Sequence, residues 1–133
     1  MARLQKLLNF GARVISGRRK YDHISDVLRT LKWLSAKNLH LYHSLTMLKQ
    51  ILSACQPETL YSSLVTRGSI HRRVTRQADM LERPVIRTES GRRRFLFSAV
   101  TGYNELPPSF HNMGTREFRL KLRKHLLAKQ QNE

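Results

Sequence analysis

A two-metal polymerase or nuclease needs carboxylates clustered tightly enough for the ions to clamp the attacking and leaving oxygens together. The chain has nine acidic residues, scattered singly. Asp22 and Asp26, one helical turn apart, read as a helix cap and a solvated neighbour. His40 and His43 are three apart with no third ligand near them in sequence, and Cys55 stands alone, which is short of a metal set. No glycine-flanked serine marks a nucleophile elbow, and Gly17, Gly68 and Gly91 stand too far apart for a phosphate-cradling loop. We therefore expect no catalytic residue, no metal and no cofactor.

The chemistry that remains is charge. Lys and Arg number 25 against nine acids, giving +16 over 133 residues, a surplus that repels itself unless a polyanion neutralises it. Arginine dominates the basic set, and its planar guanidinium meets phosphate oxygens bidentately and stacks on bases. Three clusters carry the surplus, and with Arg13 they are the expected nucleic-acid contacts: Arg18, Arg19 and Lys20; Arg72, Arg73, Arg76, Arg83, Arg87, Arg92, Arg93 and Arg94; and Arg116, Arg119, Arg123 and Lys124. Tyr21, Phe95, Phe97 and Tyr103 lie beside some of these charges and could stack on unpaired bases, although a core role suits them equally. Phosphate contact predicts binding to RNA or DNA that falls steeply with salt and depends little on sequence.

The elements that position these residues read as mainly α: a small bundle of about five helices, with a basic, irregular or partly extended segment before the last. Leu4, Leu7, Leu8, Gly11, Val14 and Ile15 form the apolar face of a first helix that Gly17 stops. Asp22 is expected to cap a second helix bearing Ile24, Val27, Leu28 and Leu31, packed on the first. Ser35 caps the third and longest, where Leu41, Leu45, Leu48 and Leu52 form a stripe widened by Met47 and Ile51. Pro57 opens a short fourth helix running to about Val65, closed by Gly68. Residues 1–66 are thus a helical core region. Residues 67–94 are an Arg-rich linking segment in which nine arginines face three acids, a net of +6, with Val85 and Ile86 expected to be extended. Residues 95–129 form a C-terminal helical region, with Phe95, Phe97 and Val100 on a strand or helix, a break at Leu106-Pro107-Pro108, and a last helix capped by Thr115 that buries Phe118, Leu122 and Leu126. Residues 130–133 are expected to fray.

As a set, several of these residues resemble a known pattern. Asn9, Ala12-Arg13, Ile15 and Gly17, then Asp22-His23-Ile24, Leu31, Trp33 and Leu34, resemble the segment just after the polymerase domain in non-LTR retrotransposon reverse transcriptases of the jockey and chicken-repeat type. The order continues with Pro57 and Leu60, Arg87-Thr88, Arg94-Phe95, Ala99, Tyr103-Asn104, Leu106-Pro107, and Phe118, Lys121, Leu122 and Leu126, so nearly the whole chain is covered. The resemblance implies a helical C-terminal region that grips template RNA, target DNA or their hybrid. The family's polymerase aspartates lie in an Asp-Asp turn, and no Asp-Asp pair occurs here, so no catalytic role carries over. Arg13, Arg87 and Arg94 match the family pattern and are the first arginines to test. A start at Met1 just before the matching segment is what a truncated element would show, and absence of the preceding domains would leave apolar surface on the first helices exposed for self-association.

Two other readings stay open. One is a basic, RNA-associated structural protein of a mitochondrial ribosome, since residues 1–21 carry six basic side chains and no acid, the composition of a transit peptide. The other is an interaction module that binds a partner helix along the third helix. With a single cysteine and no apolar run long enough to span a bilayer, we expect an intracellular protein, nuclear or cytoplasmic with mitochondrial as the lesser alternative, and no membrane partner.

Overall fold

The computed structural model of the chain describes residues 1–72 and 74–132. It is mainly helical, with eight α-helices and no strand among the described residues. The chain forms two compact units, Met1–Tyr42 with Leu120–Glu133, and His43–Arg119. The long helices α3 (Ala36–Ala54) and α8 (Thr115–Asn132) contribute residues to both.

In the first unit, α1 (Ala2–Ser16) ends as expected on Gly17, whose φ of 65° is left-handed and needs no Cβ to be accommodated. Helix α2 (Ser25–Thr30) starts later than the sequence implied. Ile24, not Asp22, sits at its N-cap; the Asp22 carboxylate instead accepts the Arg19 N–H at 2.8 Å and closes the preceding turn. Ala12, Ile24 and Val27 form the buried contact, with Leu28, Leu31 and Trp33 packed around it.

The face α1 turns inward is not the leucine face. Leu4, Leu7, Phe10, Val14 and Ile15 are exposed, while Ala12 is buried and Gln5 partly so. The first amides of α3 have no partner within their own helix, and the Gln5 side-chain oxygen accepts from Ala36 N–H at 2.8 Å. Gln130 accepts from Ser35 N–H at 2.8 Å and from the Asn38 amide at 3.2 Å, while the Ser35 hydroxyl accepts from Asn38 N–H at 3.3 Å. The Gln5 contact thus ties α1 to the α3 N-terminus beside the half-buried Leu8 and Gly11 and the buried Ala12. Gln130 lies in a helix that continues through Asn132.

In the second unit, Leu45, Leu48 and Ile51 of α3 are buried with Leu81, Ala99, Val100, Tyr103, Leu106, Phe110 and Phe118. Met47, expected in the stripe, points out and is 46% exposed. Pro57 precedes only a four-residue helix, α4 (Glu58–Tyr61). Gly68 does not close it. It lies in α5 (Arg67–His71), where its N–H donates to Ala78 O at 3.0 Å and a Cβ would meet that carbonyl at 3.1 Å. An isolated antiparallel bridge joins Thr66 to Leu81. Val85 and Ile86 belong to no strand, and Phe95, Phe97 and Val100 fall on a helix, α7 (Phe95–Asn104). The Pro107-Pro108 break is followed by a 3₁₀ turn, Pro108–Phe110. Thr115 is the first residue inside α8 rather than its cap, since Phe118 N–H donates to Gly114 O at 2.9 Å.

Candidate nucleic-acid interface

In the second unit, a polar scaffold fixes the backbone that carries the arginines. Asn104 on α7 clamps Leu81 from both sides: its side-chain oxygen accepts Leu81 N–H at 3.0 Å, and its amide donates to Leu81 O at 2.8 Å. This satisfies the buried backbone of Leu81 where no neighbouring strand is available. Arg67 belongs to the same scaffold. Its guanidinium donates to Gln77 Oε1 at 2.7 Å, its Nε lies 3.4 Å from Glu82 Oε2, and its N–H donates to Met80 O at 2.9 Å. Arg67, His71, Thr75, Gln77 and Glu82 line an open polar basin there.

Further along, Thr88 caps the single-turn helix α6 (Glu89–Arg92) by accepting Gly91 N–H at 3.2 Å. The following N–H groups of Arg92, Arg93 and Arg94 donate to Thr88, Ser90 and Gly91 carbonyls. Three consecutive arginines thereby leave one tight turn. Arg94 takes the extended N-cap conformation of α7, and its carbonyl accepts the Ser98 N–H. Glu89 approaches Arg92 and Arg93 only at 3.9 Å each, on exposed side chains where such pairs contribute little.

Seven of the eight expected arginines between 72 and 94 are exposed: Arg72, Arg76, Arg83, Arg87, Arg92, Arg93 and Arg94. Arg73 lies outside the described residues. Arg72 adopts φ 48° as the C-cap of α5. Arg116 and Arg119 are exposed on the part of α8 that belongs to this unit. The aromatic candidates divide. Tyr103 is core, 4% exposed, stacked on His111 at 4.6 Å and near Phe118, and burial raises its phenol above the usual value. Phe95 and Phe97 are half-buried.

In the first unit, Arg18, Arg19 and Lys20 are exposed on the turn that Asp22 closes, and Lys20 sits 5.5 Å over the ring of the exposed Tyr21. Arg123 and Lys124 are exposed on α8, Arg123 reaching Lys32 O at 3.5 Å. Arg13 also has a packing role. It is half-buried, its Nη2 lies 3.4 Å from Asp22 O, and its Nε is buried without a partner, so it ties α1 to the loop. Arg29, which sequence reasoning passed over, lines an open cavity with Ser25, Leu28, Trp33, Leu127 and Gln130. Its place in the last turn of α2, where a cation complements the helix dipole, is the signal that could have found it.

Lys49 was also missed. It is 7% exposed, donates to His111 O at 2.8 Å and lies 5.6 Å above the Phe118 ring, and desolvation lowers its pKa below the model-compound 10.5. That placement makes it part of the core rather than the interface. No group of three His, Cys, Asp or Glu comes together among the described residues. Comparisons with protein-family models, curated proteins and solved structures give no match.

Proposed function

We propose that this chain is a non-catalytic nucleic-acid-binding fragment, akin to the C-terminal region of a non-LTR retrotransposon reverse transcriptase, that grips RNA or DNA through phosphate contacts. The observation that carries the reading is the Arg72–Arg94 segment. Seven exposed guanidiniums lie on a segment held at Leu81 by the Asn104 clamp, at Gln77 and Glu82 by Arg67, and at Gly91 by the Thr88 cap. Of the segment's three carboxylates, Glu82 engages Arg67 closely and Glu89 engages Arg92 and Arg93 loosely, while Asp79 is exposed. Cations carried on a hydrogen-bonded backbone need not order that backbone when they meet a phosphate chain, so only side-chain ordering offsets the affinity gained from counterion release.

Fluorescence anisotropy against an RNA hairpin, a DNA duplex and an RNA–DNA hybrid, titrated over several salt concentrations, tests the proposal. Binding should fall linearly on a log–log plot. Arg87→Ala and Arg94→Ala should each weaken it uniformly across sequences and reduce the salt slope by about 1. Absence of binding at low salt would end this reading.

A further inference from the structure

The outward apolar face of α1 has no role in the nucleic-acid reading, while the Arg18–Lys20 turn beside it is shared with that reading. Leu7, Phe10 and Val14 are 66%, 65% and 66% exposed, with Leu4 and Ile15 beside them at similar exposure. Spacings of three and four put them on one continuous apolar stripe along a helix of 15 residues. Arg3 lies at the N-terminal end of the stripe and Lys6 beside it, and the turn after Gly17 adds Arg18, Arg19 and Lys20, closed by the single carboxylate of Asp22. Where helix and turn meet, Phe10 and Val14 form the apolar wall of an open concavity, and Arg18 and Lys20 form its cationic rim.

The charges select the occupant. A second copy of the chain could cover the stripe, but it would bring six like charges against six, with Asp22 the one carboxylate at each turn to offset them. A phosphate backbone would satisfy the cations and leave the leucines in water. An anionic bilayer surface satisfies both, because its headgroups meet the arginines while the acyl boundary accepts Leu7, Phe10 and Val14. No described helix is long and apolar enough to cross a membrane, and lying in the surface does not require one.

We propose that α1 and the Arg18–Lys20 turn form a docking surface for anionic lipid bilayers, α1 lying in the interface plane with its leucine face toward the acyl chains. Its test is sedimentation of the full chain with phosphatidylcholine vesicles, with and without phosphatidylserine. Binding is expected only to the anionic vesicles. Phe10→Ser should weaken it on the order of tenfold. Replacing Arg18, Arg19 and Lys20 by Ala should weaken it roughly fivefold per charge. Both sites are exposed, so these variants should keep the fold, which circular dichroism checks. Arg87→Ala and Arg94→Ala should leave vesicle binding unchanged. Three results would overturn the proposal: no partition into anionic vesicles; partition indifferent to Phe10→Ser, which is adsorption by charge alone; or a lipid-free dimer on light scattering that Phe10→Ser abolishes, which assigns the stripe to a second copy.

Discussion

Gly91→Ala tests whether the arginine turn is built as described, because the substitution leaves every charge in place. Gly91 is buried, and a Cβ there would fall 2.3 Å from Ile86 Cγ2 and 2.9 Å from Thr88 Oγ1. Ordinary carbon contacts lie at about 3.5–4.0 Å, so Ile86 must retreat by more than about 1 Å, or the Thr88 cap must open. Overpacking of this kind costs typically ~1–3 kcal/mol. Against it stands the gain of about 0.5–1 kcal/mol that alanine brings at a helical position by restricting the unfolded chain. The balance is a net loss of roughly 0–2 kcal/mol, a fall of several degrees in melting temperature at its upper end. Denaturant unfolding of the single variants and of Gly91→Ala with Ile86→Ala forms a cycle that isolates the clash. Once the Ile86 methyls are removed, Gly91→Ala should cost markedly less, with only the 2.9 Å approach to Thr88 Oγ1 left. If Gly91→Ala raises stability in the native background, the close packing of Ile86 on α6 is wrong. If it lowers stability while phosphate affinity is untouched, the position of Arg92–Arg94 is irrelevant to binding.

Other consequences follow from the same packing. Asn104→Ala leaves both Leu81 backbone groups without a partner and should cost about 1–3 kcal/mol in urea titrations for each group that water cannot reach. Phe118→Ala removes a fully buried ring that meets Phe110 edge-on at 6.0 Å, and should destabilise by ~3–5 kcal/mol; a loss below ~1 kcal/mol would mean the second unit lacks this core. Burial raises the Tyr103 phenol above its ordinary value of 10.0, so above about pH 10 the unfolded chain releases a proton that the folded chain keeps. That contribution is complete below the unfolded value and declines as pH climbs toward the raised one. Melting curves from about pH 9 to about pH 11 should therefore be flatter for Tyr103→Phe than for the parent chain.

Features set by local chemistry were legible in the sequence: the helical class, the stop at Gly17, the Ser35 cap, the break at Leu106-Pro107-Pro108, and the burial of Phe118, Leu122 and Leu126. Helices α5 and α6 were not, because four or five residues carry no periodicity and their existence depends on a bridge from Thr66 to Leu81 and on a cap at Thr88. The stripe on α1 failed differently. Periodicity identified which residues share a face but could not say which face turns inward. Gln5 reaching Ala36, a contact across 31 residues, helps to fix it. Asp22 shows a third limit. An Asp can cap a helix or a turn, and here the nearer donor, Arg19 N–H, takes it.

The arginines themselves divide along the same line between local and long-range information. Arg13, Arg87 and Arg94 were put forward together because all three match one family pattern, yet their surroundings differ. Arg13 reaches Asp22 O and keeps a buried Nε, so it joins α1 to the turn that presents Arg18–Lys20. Its truncation removes packing as well as charge, and any fall in nucleic-acid affinity for Arg13→Ala should come with a lower melting temperature. Arg87 and Arg94 are exposed and hold no such contact through their side chains. Their alanine variants should lose affinity at constant stability, as expected of surface changes that break nothing in the fold. A melting temperature that falls equally in all three would place Arg87 and Arg94 in the scaffold with Arg67, and the phosphate contacts would then have to come from Arg72, Arg76, Arg83, Arg92, Arg93, the Arg18–Lys20 turn and the α8 cations.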